Sequence, residues 1–348
     1  MRVVILYDAG SPEWTAADVA AVLQNVHEVR DALRRRGHDV ELAPVRLGDF
    51  RWLTRARRAD AVFNLCEGIN GHARYEDFVV GTLELTGVPF TGCRAWPTTV
   101  CHRKHVANTL LASAGVPVPA FALAQGNRVP ADFPLPAIVK PAAEDASVGI
   151  DANAVCTTRK ALKKRVAWLA EQFEEVIVQQ YVAGREVNVG FVGRQVLPLS
   201  EIDFGGMPAG SWPIVTYQAK WAPGHPEYAG TVPVCPARLP ADLARRIVAV
   251  ARQAWEYMAG GEGYGRVDLR VGEDGQPYVL EVNPCPDLSS DAGLARMAAA
   301  FGWDYEELVA QVLDEALTRS RHRDAAAALA ESGTSSGSPS GSQSSPRA

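Results

Sequence analysis

The chain has 348 residues, too many for one ordinary core and enough for two or three compact lobes. Hydrophobic residues at 47% and charged residues at 22% are the proportions of a soluble globular protein. A net charge of −5 and a pI near 5.9 argue against a nucleic-acid scaffold, and no apolar run approaches the ~20 residues of a membrane span, so a cytoplasmic protein is expected.

Val3-Val4-Ile5-Leu6-Tyr7 opens the chain as a first β-strand, too short to be a signal peptide, and Asp8-Ala9-Gly10-Ser11-Pro12 ends it as a loop. Residues 16–36 follow with helical periodicity, Val19, Val22, Leu23, Val26, Val29 and Leu33 forming one stripe that stops at Gly37. Residues 40–42 and 61–65 read as further strands, 88–92 as a short one, and the Arg-rich run 51–58 as the solvated face of a helix. Strands alternating with helices predict a doubly wound α/β lobe over residues 1–95.

A helix is expected over 99–114, ending at Gly115 before Val116-Pro117-Val118-Pro119. A strand at 137–141, a loop at 144–149, a helix at 160–173 and a strand at 175–181 form a small central lobe within 96–185. Residues 186–192 alternate and begin a third lobe, 186–320. Residues 203–236 are Gly- and Pro-rich and too long for an ordinary connection, which predicts a loop that is either functional or disordered. An amphipathic helix over 239–258, a β-hairpin and two shorter helices ending near Thr318 complete the lobe. The Ser/Gly/Pro-rich residues 321–348 cannot bury a core and predict a disordered tail. Cys66, Cys93, Cys101, Cys156, Cys235 and Cys285 contain no C-x-x-C and fit reduced, packed thiols rather than disulfides or a zinc site.

The hairpin carries the strongest chemical signal. Tyr264-Gly265-Arg266-Val267-Asp268-Leu269 and Tyr278-Val279-Leu280-Glu281-Val282-Asn283-Pro284 flank the turn-rich Gly272-Glu273-Asp274-Gly275-Gln276-Pro277. Arg266 and Asp268 share one face of their strand, as Glu281 and Asn283 share one of theirs. Pairing the strands gathers Asp268, Glu281 and Asn283 beside a guanidinium, a set of hard oxygen ligands suited to Mg²⁺ held against phosphates. Lys140, ending a strand before Ala142-Ala143-Glu144-Asp145-Ala146-Ser147-Val148-Gly149, is one way to bind phosphates, although such a loop is more often a plain turn and no Walker loop is present. Lys104 and Lys220 taken singly read as surface lysines. Glu186 reads either as a ribose acceptor or as a strand-edge carboxylate.

Taken in order, Lys104, Lys140 with its loop, Gln179 to Glu186, Lys220, Arg266/Asp268 and Glu281/Asn283 resemble the ATP-grasp superfamily, and within it the D-alanine–D-alanine ligases. Val62-Phe63-Asn64-Leu65-Cys66-Glu67-Gly68, Leu83-Glu84-Leu85-Thr86-Gly87-Val88-Pro89-Phe90-Thr91-Gly92 and Ala112-Ser113-Ala114-Gly115-Val116-Pro117-Val118-Pro119 extend the resemblance, which runs from Met1 to about Leu317. It implies an N-terminal α/β lobe, a central lid lobe and a C-terminal antiparallel-sheet lobe, with ATP between the last two. Lys104 and Lys140 would then meet the phosphates, with Ser147, Val148 and Gly149 in the loop that closes over them. Gln179, Gln180, Tyr181 and Val182 would form the adenine hinge, with Glu186 on the ribose. Lys220 would reach the γ-phosphate, and Asp268, Glu281 and Asn283 would hold Mg²⁺, as a pair of ions or with Mn²⁺ in their place. Arg266, Lys220 and Ser147 are the implied catalytic residues, Arg266 stabilising the oxyanion of a tetrahedral intermediate. The implied reaction joins a carboxylate to an amine through an acylphosphate, with amino-acid or peptide substrates and a homodimer as the common assembly.

The chain departs from the family pattern on the substrate side. Cys66-Glu67-Gly68-Ile69-Asn70-Gly71-His72-Ala73-Arg74-Tyr75-Glu76-Asp77 stands where the family carries His-Gly-x-x-Gly-Glu-Asp-Gly. Lys220-Trp221 replaces Lys-Tyr, and Pro286-Asp287-Leu288 replaces Pro-Gly-Met, so an Asp occupies the place of the oxyanion-hole glycine. The family's N-terminal Glu has only Glu13 and Asp18 as candidates. A ligase with altered substrates is therefore expected. A nucleotide-binding homologue without catalysis is the alternative, disfavoured because Arg266 and all three metal-ligand candidates are present. A dinucleotide-binding dehydrogenase lobe is disfavoured by the absence of G-x-G-x-x-G after Tyr7.

Overall fold

The computed structural model describes residues 1–126 and 128–334. In chain order they form β1 (Arg2–Asp8), α1 (Ala16–Arg35), β2 (Asp39–Val45), α2 (Arg51–Ala56), β3 (Ala61–Leu65), a 3₁₀ turn (Ala73–Tyr75), α3 (Glu76–Thr86), α4 (Ala95–Cys101), α5 (Lys104–Ser113), β4 (Phe121–Leu123), β5 (Ala137–Pro141), β6 (Val155–Cys156) and α6 (Arg159–Ala170). The series continues with β7 (Val176–Gln180), β8 (Arg185–Val192), β9 (Gln195–Val196), β10 (Ser200–Asp203), α7 (Tyr217–Trp221), α8 (Pro226–Ala229), β11 (Val232–Val234), α9 (Ala241–Ala259), β12 (Tyr264–Val271), β13 (Pro277–Asn283), α10 (Gly293–Phe301) and α11 (Tyr305–Thr334).

Three sheets result. The first is parallel, in the order β2-β1-β3. Val3, Val4, Ile5 and Leu6 of its central strand are wholly buried, as expected of a strand covered on both faces. α1 covers one face and starts at a capping box in which Thr15 and Asp18 satisfy each other's backbone N–H groups. The core beneath α1 joins Val3, Ile5, Val26, Val29 and Leu33 to Leu294, Met297, Leu308, Val312 and Leu313, so the start and end of the chain share it. The second sheet, β4-β7-β5-β6, is antiparallel and packs on α6 through Val139, Val178, Leu162, Val166 and Leu169.

The third sheet, β11-β10-β8-β12-β13 with β9 beside β8, is also antiparallel. Val187, Val189, Val267, Leu269, Val279 and Val282 face α9 and its Trp255. The register shifts between Asp268, opposite Glu281, and Leu269, opposite Val279, leaving Leu280 as an extra residue. That β-bulge reverses the phase of β13, so Val279 packs in the core while Glu281 and Asn283 join Asp268 on the opposite face.

The structure corrects four sequence expectations. The helix over 99–114 is two helices, α4 and α5, broken at His102 and Arg103. Residues 88–92 make a single bridge, Val62 to Phe90, rather than a strand, because only Phe90 aligns with β3. Residues 203–236 contain α7, α8 and β11. Residues 321–334, expected to be part of a disordered tail, are helical, since α11 runs to Thr334 through Ala325-Ala326-Ala327-Ala328, strong helix formers; residues 335–348 lie outside the described residues.

Candidate active site

The two strands of the hairpin bring the four predicted residues into two cross-strand pairs. Arg266 lies opposite Asn283 and Asp268 opposite Glu281. Arg266 grips Asp268 in a two-pronged pair, 2.6 Å from Nε to Oδ1 and 2.8 Å from Nη2 to Oδ2. Asn188 of β8 donates a further bond of 2.7 Å to the same carboxylate. Asp268 and then Glu281 and Glu186 raise the Arg266 pKa against the cost of burial. Asn283 accepts from the backbone N–H of Cys285 at 3.0 Å, which fixes its amide at the strand end. Among the described residues no group of three or more His, Cys, Asp or Glu side chains gathers around a cation position. The hairpin offers instead two carboxylates and one amide oxygen, a hard donor set that fits Mg²⁺ bridged to phosphates.

Lys104 is the first residue of α5, and its backbone N–H bonds to the carbonyl of Ala142 at 2.9 Å. The break before α5 thus docks a helix start on the exit of β5 and brings Lys104 beside Lys140. Lys104 is buried, with Nζ 2.5 Å from the Glu144 carbonyl, 3.1 Å from Asp145 Oδ1 and 3.8 Å from Glu281 Oε2. Its pKa stays raised although burial opposes the charge, because Asp145 and Glu281 stabilise the ammonium. Lys140 is also buried and lacks such close partners. Burial pushes its pKa down to about 8, with Lys104 adding to the effect and Glu281 opposing it.

The loop after β5 is strained where it would close over phosphates. Ala146 and Ser147 have φ of 55° and 62°, left-handed values that non-glycine residues rarely adopt. Gly149, at φ 72°, could not carry a side chain, since a Cβ would stand 2.7 Å from Pro141 Cγ. Arg165 of α6 holds the Gly149 carbonyl at 2.7 Å, and Val148 bonds back to the Asp145 carbonyl at 3.1 Å. The long segment closes on this loop: Tyr217 N–H reaches the Ile150 carbonyl at 2.9 Å and Trp221 Nε1 reaches the Ala146 carbonyl at 3.0 Å. Lys220, in the same short helix, keeps open surface with its ammonium 5.1 Å from the Trp221 ring centre. Crowding by protein and then Arg266 pushes its pKa down, while Glu281 and Asp268 oppose the shift.

At the hinge between β7 and β8 the predicted residues divide. Gln179 is wholly buried with its Nε2 unpartnered, a free donor of the kind a flat heterocycle satisfies. Gln180 is exposed, and its backbone N–H is taken by the Ala120 carbonyl at 2.7 Å. Tyr181 packs edge-on against Trp212, ring centres 5.0 Å apart. Glu186 pairs with Arg270 at 3.1 and 3.2 Å, and burial raises its pKa despite that partner. Arg270 also holds the carbonyls of Val182, at 3.0 Å, and of Pro213.

Sequence reasoning missed Arg270, Asn188, Asp145 and His102. Strand alternation carries the signal for the first two: Arg270 is two beyond Asp268 and opposite Glu186, and Asn188 is opposite Asp268. His102 sits in the break between α4 and α5, its Nε2 2.8 Å from Oε2 of buried Glu76. Burial opposes its charge, but the Glu76 hydrogen bond and charge prevail and raise its pKa to about 9. No local pattern in the sequence announces that pair. Of the two candidates for an ammonium-gripping carboxylate, Asp18 is committed to Thr15 in the helix cap. Asp287 is exposed and accepts from the N–H and hydroxyl of Ser289 at 2.8 and 2.6 Å. All six cysteines are free thiols, and Cys285 Sγ lies 3.6 Å from the Tyr264 hydroxyl.

Comparison with known proteins bears on this arrangement. The family described as "D-ala D-ala ligase C-terminus" matches residues 110–314. A D-alanine–D-alanine ligase of Gloeobacter violaceus is 30% identical over 91% of this chain and 100% of its own length. One of Bordetella avium is 31% identical over 92% and 96%. The protein y4sG of Sinorhizobium fredii, named as uncharacterized, is 32% identical over 83% and 86%. Among solved structures, the D-alanine–D-alanine ligase of Bacillus anthracis complexed with ATP has a TM-score of 0.71 at 21% identity, covering 93% of this chain and 99% of its own. The VanG D-Ala:D-Ser ligase of Enterococcus faecalis has a TM-score of 0.70 at 20% identity, covering 92% and 99%. These structures establish a shared ATP-grasp fold.

Proposed function

The chain belongs to the D-alanine–D-alanine ligase family, and on that premise we propose that it is an ATP-dependent ligase joining a carboxylate to an amine of amino-acid or peptide substrates other than a pair of D-alanines. The observation that carries the reading is the hairpin register, which aligns Asp268 with Glu281 and Arg266 with Asn283 beside buried Lys104. Asp268, Glu281 and Asn283 would hold Mg²⁺ against the phosphates, where the ion supplies charge neutralisation. Buried Gln179 would receive the adenine and Glu186 the ribose. Lys104, Lys140 and Lys220 would orient the phosphates so that a substrate carboxylate takes the terminal phosphoryl group, giving an acylphosphate. Arg266 would then stabilise the charge on the carbonyl oxygen as the amine attacks. Trp221 and the strained Ser147 loop would exclude water, which otherwise hydrolyses the acylphosphate. A cytoplasmic location and a homodimer belong to the same proposal; no helix among the described residues is long and apolar enough to cross a membrane.

Altered substrates follow from the groups that stand where the family pattern has others. Asp287 brings a carboxylate to the place of the expected glycine. Glu67 stands in place of the expected His; its dense surroundings, then the charges of Glu76 and Asp287, push its carboxyl pKa up, with Lys220 opposing. The test is a screen of amino acids and dipeptides for substrate-dependent ADP and phosphate release with Mg²⁺, products weighed by mass spectrometry. Glu281→Gln is expected to lower turnover by roughly a thousandfold through loss of a metal-binding charge. Undiminished turnover sinks the metal assignment. D-alanyl-D-alanine formed by the wild-type protein at an enzymatic rate, about 1 s⁻¹ or more, sinks the altered-substrate reading.

A further inference from the structure

We propose that His102 is a positioning residue that receives Asp145 when the phosphates of a nucleotide take over Lys104. The inference rests on the reading of Lys104 as a phosphate lysine. That lysine is engaged by the loop that would cover the phosphates: Nζ meets the Glu144 carbonyl at 2.5 Å and Asp145 Oδ1 at 3.1 Å. Asp145 therefore stands where an anionic ligand would stand. A phosphate arriving at Lys104 must displace that carboxylate, and a displaced carboxylate beside a phosphate is repelled unless a second cation accepts it.

His102 is placed for that exchange. Its Nε2 is fixed at 2.8 Å by Glu76, and its Nδ1 points toward Asp145 Oδ2 at 4.0 Å, just beyond hydrogen-bond reach. One carboxylate thus has two cationic partners, Lys104 through Oδ1 and His102 through Oδ2, with the first bond made and the second a short step away. The two cations flank Arg103, the last residue before α5, so both face the same carboxylate from adjoining stretches of backbone. Glu76 keeps the imidazole from turning away, being itself held in a buried site at the start of α3. Asp145 has side-chain exposure of 46%, so solvent rather than packed side chains borders about half of it.

The experiment is calorimetric titration of ATP with Mg²⁺ into the full chain and three variants. Asp145→Asn removes the competitor for Lys104 and is expected to tighten ATP binding about fivefold, the size of one partly exposed ion pair. His102→Gln leaves the displaced carboxylate unpaired and is expected to weaken binding by a similar factor. His102→Lys, which keeps a cation between Glu76 and Asp145, is expected to restore most of the loss. In the Asp145→Asn background, His102→Gln is expected to have no further effect, because the two act as one pair. Weaker binding by Asp145→Asn overturns the exchange, as does a His102→Gln loss that persists in that background. Since Asp145 is a surface residue, its variant reads the proposal even if His102→Gln does not fold. A wild-type chain that binds no ATP overturns the nucleotide reading itself, a different and separable failure.

Discussion

Arg270 organises the inner wall of the cleft more than any residue that the ligase pattern singles out. Its side chain is 3% exposed and holds Glu186 together with the carbonyls of Val182 and Pro213, joining β8, the β7–β8 connection and the long segment before α7. Removing it leaves a buried carboxylate without its partner. Arg270→Met is expected to lower stability by about 3–5 kcal/mol, and adding Glu186→Gln to recover part of that, measured by urea unfolding. A loss below ~1 kcal/mol contradicts the account. Lys140 gives a pH prediction. Its folded-state pKa of about 8 means that it loses its charge as pH rises through 8, whereas bound phosphates favour the charged form. ATP affinity is expected to fall above pH 8, and binding there to take up a proton, detectable by calorimetry in buffers of different ionisation enthalpy. Equal affinity at pH 7 and 9.5 contradicts it. These residues were unequally legible in the sequence. Asp268, Glu281 and Asn283 stand out because carboxylates and amides are rare in buried strands. Arg270 and Asn188 follow only once β8 is aligned with β12. Asp145 and His102 meet through folding alone, forty-odd residues apart along the chain.

At the scale of elements, the decisive local feature is the bulge at Leu280. Strict alternation puts Val279, Glu281 and Asn283 on one face, and Val279 is wholly buried against α9. The extra residue separates them, sending Val279 inward and Glu281 and Asn283 outward. The sequence shows that Glu281 and Asn283 belong together but not which way they point, since a bulge has no composition signal here. The break between α4 and α5 is hidden for a similar reason: Cys101, His102 and Arg103 are ordinary helix residues, and the backbone bond from Lys104 to Ala142 is what resets the chain. α7 gives the element-scale prediction. Its Trp221 indole bonds the Ala146 carbonyl and so holds the long segment on the strained loop. Trp221→Ala is expected to admit water and raise the ratio of ADP released to ligated product about tenfold, with smaller change in ATP affinity. An unchanged ratio removes the lid role.

At the scale of the molecule, the parallel first sheet follows from strands alternating with helices, while the two antiparallel sheets are what the resemblance to the ATP-grasp ligases implies. How the chain's two ends combine follows from neither. Leu294, Met297, Leu308, Val312 and Leu313 complete the core under β1 and α1, and Arg319 of α11 fastens the carbonyls of Phe90 and Gly92 at 2.6 and 2.8 Å. Contacts between residues some three hundred positions apart leave no local trace in a single sequence. At about 1.5–3 kcal/mol for each large apolar side chain, those five residues contribute on the order of 10 kcal/mol, comparable to the whole stability of a domain. A chain ended at residue 287 is therefore expected to be insoluble, measured as the soluble fraction on expression; a soluble form that unfolds cooperatively would contradict this.

The shared core also bears on synthesis. A ribosome delivers β1, α1, β2 and β3 first, but the apolar surface of that lobe stays open until α10 and α11 emerge. The first lobe made is thus among the last to be finished, and for most of the time the chain is being made it presents a sticky face that a chaperone is suited to cover.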